Sequence, residues 1–485
     1  MNGQSLFALL PLSILGIGSV VLLLGGAFVP SAGRKSLTLI GAVIALLSAF
    51  AAATYSPEVT DVAGFVSVAG FGRLITALAG IVAFLSLFLS TGYTGRRPLG
   101  MEEYPSLALF AAFGMALLGS AISLLGVFLG LESMTLALYI LLASNRSDPL
   151  SGEAGLKYLI LGAASTAFFA FGLSLIYFAT GTLSVQESMR GLVSSGGLGP
   201  LGMAGWAMLL VGFGFKVSVF PFHLWAPDVY EGGPAPVVAI LSTGSKTAAF
   251  AAFLRFALAS TDGWGSLVPV LWAMAALTMA YGNIAALTQD NVKRLLANSS
   301  IAQMGYVLVA LIAAPVSGGT YAVFYLIAYT AMDLGAFGVV AAFSGKDRDL
   351  GDIESLRGLG FVHPFRSLVL AACFISLAGL PPTVGFIGKF GIFYSAVKAG
   401  YVYLAVIGIM TAIISVYYYL RVVVYLYMRP IEESPSPAAQ AHVMPRLDMA
   451  GAFALAVVLA AIVTLGVLPG WALNLVASVT GNGAL

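Results

Sequence analysis

Apolar residues along the chain gather in runs of about 20, the length that crosses a bilayer as a helix. Between the runs lie short polar or Gly/Pro-containing breaks. The pattern predicts spans at 8–29, 36–54, 73–92, 106–121, 123–143, 155–178 and 201–225, then at 237–259, 267–288, 295–314, 319–343, 367–397, 402–428 and 450–477. This is the outline of an all-α polytopic membrane protein with about fourteen transmembrane helices. The run Leu107–Ala143 is too long for one crossing, and Gly119-Ser120 supplies the tight turn that divides it. The stretch Leu6–Val29 exceeds a signal-peptide core and follows no basic residue, so it reads as a retained first span.

Lysine and arginine test this division independently. One set of alternate loops collects Arg34, Lys35, Arg96, Arg97, Arg146, Lys293, Arg294, Lys346, Arg348, Arg357, Arg366, Arg429 and Arg446; the other collects Arg73, Arg190 and Lys398. Cytoplasmic loops carry the excess of basic residues. The crowded side is therefore read as cytoplasmic, with both termini outside and 344–366 as a cytoplasmic loop. A missed or spurious span would scramble the alternation.

Composition agrees: of 485 residues 60% are hydrophobic and 9% charged, against roughly 25% charged in an ordinary soluble domain. A single cysteine, Cys373, cannot ligate an iron–sulfur cluster, and His223, His363 and His442 are too scattered for a metal site. No cofactor is expected in this chain. A net charge of +2 without a basic run longer than two residues argues against nucleic acid as a partner. The loops are too short to hold a soluble catalytic domain. The segment GKDRDLGDIESLRG within 344–366 mixes both signs and reads as a solvated face, with a docking surface as the alternative, and PIEESPSP at 430–437 reads as a flexible linker.

Two spans contain proline where a membrane helix can least spare an amide donor. Pro221 lies in GFKVSVFPFHLWAP and Pro381-Pro382 in SLAGLPPTVGFIGKF. Such breaks leave carbonyls unpaired at membrane depth and imply a polar cavity. The two broken spans, seventh and twelfth, lie five apart and so run in opposite directions, which predicts two inverted five-helix repeats. The corresponding division is 1–105 for the first three helices, 106–260 for the first repeat, 261–428 for the second, and 429–485 for a cytoplasmic linker with the last helix.

A few ionisable side chains remain inside spans. Glu132 lies in the fifth, Lys216 in the seventh, Lys246 in the eighth and Lys389 in the twelfth. On insertion scales each costs about 2.5–3.5 kcal/mol, hence on the order of 10–14 kcal/mol for four. A Glu132–Lys216 ion pair of purely structural value would leave Lys246 and Lys389 unexplained, so a proton relay is the stronger reading. Ser242 and Thr243 fall on the Lys246 face of their helix, which could then hold water. Secondary candidates are Lys157, placed for either snorkelling or relay; Asp333, as proton wire or ion-pair partner; and His223, as an extension of the path or a residue hydrogen-bonded in the helix break. Arg255 and Arg421 lie near helix ends and read as snorkelling.

At these residues the chain resembles the antiporter-like membrane subunits of respiratory complex I. The motifs are GLKYLILGA, FKVSVFPFHLWAPDVYEGGPAPVVAILSTGSK, NIAALTQDNVKRLLANSSIAQMGY and GLPPTVGFIGKF. The resemblance implies a proton path through Glu132, Lys216, Lys246 and Lys389, and Lys157 matches a family lysine in GLKY. Lysines at 246 and 389 set the chain apart from the L- and M-type paralogues, while Asp333 stands where the family pattern has a neutral residue. The resemblance further implies a subunit of the inner membrane that moves protons without redox chemistry of its own. FMN, iron–sulfur clusters and quinone would belong to partner subunits, among them neighbouring antiporter-like ones. A subunit of an Mrp-type cation/proton antiporter or a hydrogenase-type complex is the alternative, and a scaffold with merely paired charges is a third.

Overall fold

The computed structural model describes residues 7–28, 34–57, 59–96, 103–193, 198–345, 349–428 and 446–480. Its helices are α1 Leu10–Gly26, α2 Arg34–Thr54, α3 Gly70–Arg96, α4 Tyr104–Ser120, α5 Leu124–Leu142, α6 Pro149–Thr180, α7 Gly199–Val217 and α8 Ala235–Ala259. There follow α9 Thr261–Leu287, α10 Val292–Ile312, α11 Ala314–Phe343, α12 Pro364–Ala378, α13 Val384–Lys398, α14 Val402–Met428, α15 Met449–Val467 and α16 Pro469–Thr480. Each of the fourteen expected spans has its helical counterpart, the twelfth divided into α12 and α13 and the last into α15 and α16. Among the described residues eleven helices are long and apolar enough to cross a membrane, and α1, α4 and α12 are shorter apolar helices.

Local chemistry sets the boundaries. The chain turns extended at Ala121, and the Ser123 hydroxyl caps α5 by accepting from Gly126 N at 3.0 Å, which divides the long apolar run where Gly119-Ser120 predicted. Asn291 caps α10, its side-chain Oδ1 accepting from Lys293 N and Arg294 N. Gly114 of α4 lies so close to α5 that a Cβ there would stand 2.3 Å from Met134 N, so only glycine permits this helix contact.

The connections sort to two ends as the alternation requires. At one end a short hairpin, Asp61–Val62 with Val66–Ser67, bridges to Ala121, and Ser123 bridges to Ser184. Thr320 and Thr480 meet there too, with hydroxyls 3.0 Å apart. At the other end Asn291 bridges to Asp352 and donates to Glu231. The hairpin is absent from the sequence reading because two-residue strands leave no alternation to detect. Arg97, Lys346, Arg348, Arg429 and the linker at 430–437 lie outside the described residues.

Three expectations need correction. Arg255 does not snorkel: it is 6% exposed, stacks on Phe71 at 5.0 Å and donates to Gly119 O at 3.3 Å, because α3 and α4 cover it. Lys293 is no loop residue but the second residue of α10, with its side chain 3% exposed and 2.8 Å from Asp349. The 344–366 connection is accordingly not simply a solvated face. Asp349 accepts from Lys293, Tyr93 and Ala235 N, and Ile353, Leu356 and Leu359 pack inward.

Removing one partner of a buried pair strands the other charge. Lys293→Met should therefore destabilise by about 3–5 kcal/mol, whereas Lys293→Met combined with Asp349→Asn, which removes the stranded charge but keeps an acceptor for Tyr93 and Ala235 N, should recover most of it. Thermal unfolding of the purified assembly measures both, and a double variant no better than the single one would mean that the pair does not anchor this end.

Candidate functional site

The α7 break positions the first lysine. After Val217 the backbone turns left-handed at Ser218, φ 58°, and Val219 N bonds back to Gly214 O. Lys216, the last residue but one of α7, is 4% exposed. Its Nζ donates to Thr135 Oγ1 at 2.7 Å and lies 5.6–5.9 Å from the ring centroids of Phe215, Tyr158 and Tyr139. Glu132 sits one turn before Thr135 on α5. It is half-buried and accepts from Thr166 Oγ1 at 2.6 Å. Glu132 and Lys216 thus share a neighbourhood without forming a direct ion pair, contrary to the structural-pair reading: Thr135 receives the ammonium and Thr166 donates to the carboxylate.

Lys246 is wholly buried on α8, just after a π-helical turn over Leu241–Ser245. Ser242 and Thr243 do not hold open a wet face as expected. The Thr243 hydroxyl turns back to Ala239 O at 2.5 Å, and the Ser242 hydroxyl is shared between Ala239 O, 3.3 Å away, and the Asp333 carboxylate. The ammonium instead reaches across to α10 and donates to Ser300 Oγ at 2.6 Å, with the Tyr230 ring 5.4 Å away.

Lys389 is held by the other break. Gly379 ends α12 with φ +82°, and α13 returns so that Lys389 Nζ donates to Leu377 O at 2.7 Å, with the Tyr306 ring at 5.0 Å. The last carbonyls of a helix lack internal donors and carry the negative end of its dipole, which suits an ammonium.

Between these two lysines runs α10, a helix buried on every side. Gln303, one turn beyond Ser300, donates to Leu377 O at 3.2 Å, the carbonyl that receives Lys389, and to Tyr419 OH at 2.8 Å. Tyr325 donates to Gln303 Oε1, and Ser299 meets the Tyr419 hydroxyl. Asn283 bonds Tyr306 and Tyr418, each at 3.0 Å. Ser300, Gln303, Tyr325 and Tyr419 were not singled out from sequence, although Ser300 and Gln303 stand in the ANSSIAQMGY run. A cluster of polar residues, Asn298, Ser299, Ser300 and Gln303, inside an apolar span was the available signal.

The secondary candidates separate. Asp333 is wholly buried and joins the Lys246 group through Tyr329, whose hydroxyl donates to Asp333 Oδ2 at 3.1 Å. Lys157 lies apart from the buried line, 40% exposed and paired with Glu153 at 2.6 Å and Asp228 at 2.7 Å. Burial works to raise the Asp228 carboxyl, but hydrogen bonds from Lys157 and Arg294 outweigh it and hold Asp228 below the ordinary carboxylate range. His223 is 2% exposed in the α7 break, its ring tilted against that of Tyr281 with centroids 4.0 Å apart, and neither ring nitrogen has a hydrogen-bond partner among the described residues. Among those residues no group of three or more His, Cys, Asp or Glu is placed to hold a metal ion.

Broken helices that feed buried lysines into a bundle define the class: a membrane-embedded carrier fold of the antiporter type. The family described as NADH:quinone oxidoreductase/Mrp antiporter, TM, matches residues 121–415. A relative from Geobacter metallireducens, NADH-quinone oxidoreductase subunit N, is 47% identical over 483 residues, covering 99% of this chain and all of its own. Respiratory complex I from Thermus thermophilus with bound aureothin contains a chain 36% identical, with a TM-score of 0.76, covering 96% of this chain and 98% of that one. A chain of the Mrp complex from Dietzia sp. shares the fold, with a TM-score of 0.84 at 21% identity, covering 100% of this chain and 98% of that one. The chain belongs to the NADH-quinone oxidoreductase subunit N family.

Thr135 is the hydroxyl on which the Lys216 ammonium rests. Thr135→Val should leave that charge without its acceptor and destabilise the assembled complex by about 1–3 kcal/mol, while Thr135→Ser should be nearly neutral. Thermal unfolding of the complex distinguishes them, and equal stability of the valine variant would remove Thr135 from the site.

Proposed function

We propose that this chain is the proton-translocating membrane subunit of an NADH:quinone oxidoreductase, with Glu132, Lys216, Lys246 and Lys389 as its relay. The observation that carries the reading is the way the three lysines are held: each is buried, none touches a carboxylate, and each rests on a neutral hydroxyl or carbonyl. Arg255 is buried on a carbonyl and a ring in the same way, but a guanidinium stays protonated, whereas a lysine amine can titrate. Groups solvated by neutral acceptors can lose and regain a proton without stranding an opposite charge. The oxidation of NADH would take place in other subunits holding FMN and iron–sulfur clusters, with quinone reduced outside this chain.

The same reading places the chain in the inner membrane beside other antiporter-like subunits, with the basic end in the cytoplasm and both termini on the external side. Residues 106–260 and 261–428 form the two inverted repeats, and the α7 and α12 breaks occupy equivalent places in them. Lys157 and His223 lie toward the cytoplasmic end, where a path from water would begin. The Mrp-type alternative shares the fold, but full-length identity to subunit N relatives favours the complex I assignment.

If Lys246 titrates, its replacements separate charge from proton exchange. Lys246→Met should abolish most NADH-driven proton uptake in inverted membrane vesicles, since a thioether carries no proton. Lys246→Arg should fail as well, because a guanidinium stays protonated at any working pH. Lys246→His should keep part of the activity with a lower pH optimum, starting from about 6.5 rather than about 10.4 in water. Arginine pumping as well as lysine would overturn the relay role.

A further inference from the structure

We propose that Asp333 is the proton-exchange partner of Lys246, joined to it through the hydroxyls of Ser300 and Tyr329; this rests on reading Lys246 as a titrating relay. Lys246 Nζ donates to Ser300 Oγ at 2.6 Å, the Ser300 and Tyr329 hydroxyls lie 2.6 Å apart, and Tyr329 OH donates to Asp333 Oδ2 at 3.1 Å. Tyrosine has a single hydroxyl hydrogen and Asp333 Oδ2 receives it, so the hydrogen in the Ser300–Tyr329 contact comes from serine. Every donor then points the same way, from ammonium to serine to phenol to carboxylate.

Along this chain a proton crosses by successive exchange. One N–H bond breaks at Lys246 and one O–H bond at each of Ser300 and Tyr329, while O–H bonds form at Ser300, Tyr329 and Asp333 Oδ2. The products are a neutral amine and a neutral carboxylic acid. Charged and neutral forms both sum to zero, so the exchange never creates an isolated charge in the bilayer, where one costs about 2.5–3.5 kcal/mol or more. Lys246 can thereby be left as a free amine, ready to accept the next proton.

The geometry argues against a purely structural counter-ion. Asp333 does not contact the ammonium, and its Oδ1, fully buried, makes no hydrogen bond among the described residues. The titratable groups facing it are Lys246 from α8, Tyr230 from the short helix before α8, Tyr329 of its own helix and Cys373 from α12. Tyr329 is the titratable group that donates directly to the carboxylate, the Ser242 hydroxyl of α8 also faces it, and Lys246 supplies the far end of the chain.

The test uses the intact complex in inverted membrane vesicles. Proton uptake per electron is measured with NADH across a pH series, in preparations matched for NADH oxidation by an artificial acceptor. Asp333→Asn preserves shape and the oxygen that Tyr329 reaches, but it removes the basic carboxylate. It should lower the ratio by about tenfold or more, and Tyr329→Phe should do the same. Asp333→Glu should retain more than half, which a merely steric role would not grant to the longer side chain over the isosteric amide. Asp333→Asn pumping with the wild-type ratio and pH profile, while Lys246→Met fails, would overturn the role of Asp333 and leave the relay standing. Lys246→Met pumping normally would overturn the relay itself.

Discussion

A lysine ammonium in the middle of a bilayer has to be solvated by the protein that carries it, and the architecture follows from how that is done three times. Water and lipid headgroups are too far away for a four-carbon stem to reach. Lys389 is served by backbone, because α12 ends beside it and its terminal carbonyls have no amide donors of their own. At the α7 break the equivalent carbonyls are already taken, Phe215 O by the Trp225 indole and Gly214 O by Val219 N. Lys216 must therefore turn to the Thr135 hydroxyl of α5. Lys246 has no break of its own and reaches Ser300 on α10. Aromatic rings close around all three, contributing attraction without a charge that would trap the proton.

This arrangement makes α10 the axis of the molecule. Its first turn is tied to the 344–366 connection by Lys293 and Asp349, its middle offers Ser300 to Lys246, and Gln303 shares a carbonyl with Lys389. Displacing this one helix would disturb two of the buried lysines at once. The peripheral helices play a different part. Helix α6 leaves Leu156, Ile160 and Phe171 exposed, a surface suited to lipid or a neighbouring subunit rather than to proton transfer.

The spans, the two breaks and the four principal charges were legible in the sequence because each leaves a strong local mark: twenty apolar residues, a proline, a charge where none is affordable. The wiring between the charges was not. Ser300, Gln303 and Tyr329 are neutral and occur in helices buried all round, so no amphipathic face separates an inward serine from an outward one. Ser242 and Thr243 misled for a related reason. Helical spacing placed them beside Lys246, but the Thr243 hydroxyl returns to its own backbone at Ala239 O and Ser242 faces Asp333. Lys293 looked like a loop charge because the residue that buries it, Asp349, lies 56 positions away.

In the relay proposed above, a proton moves from Lys246 toward Lys389 past α10, whose Ser300 receives Lys246 and whose Gln303 shares the Leu377 carbonyl with Lys389. Gln303 tests it most directly, because it carries no charge and its removal leaves every lysine in place. Proton uptake per electron in NADH-energised membrane vesicles, compared between wild type and Gln303→Leu at matched NADH oxidation by an artificial acceptor, is the measurement. The account predicts a fall of about tenfold or more in that ratio. An undiminished ratio in a fully assembled Gln303→Leu complex would contradict it.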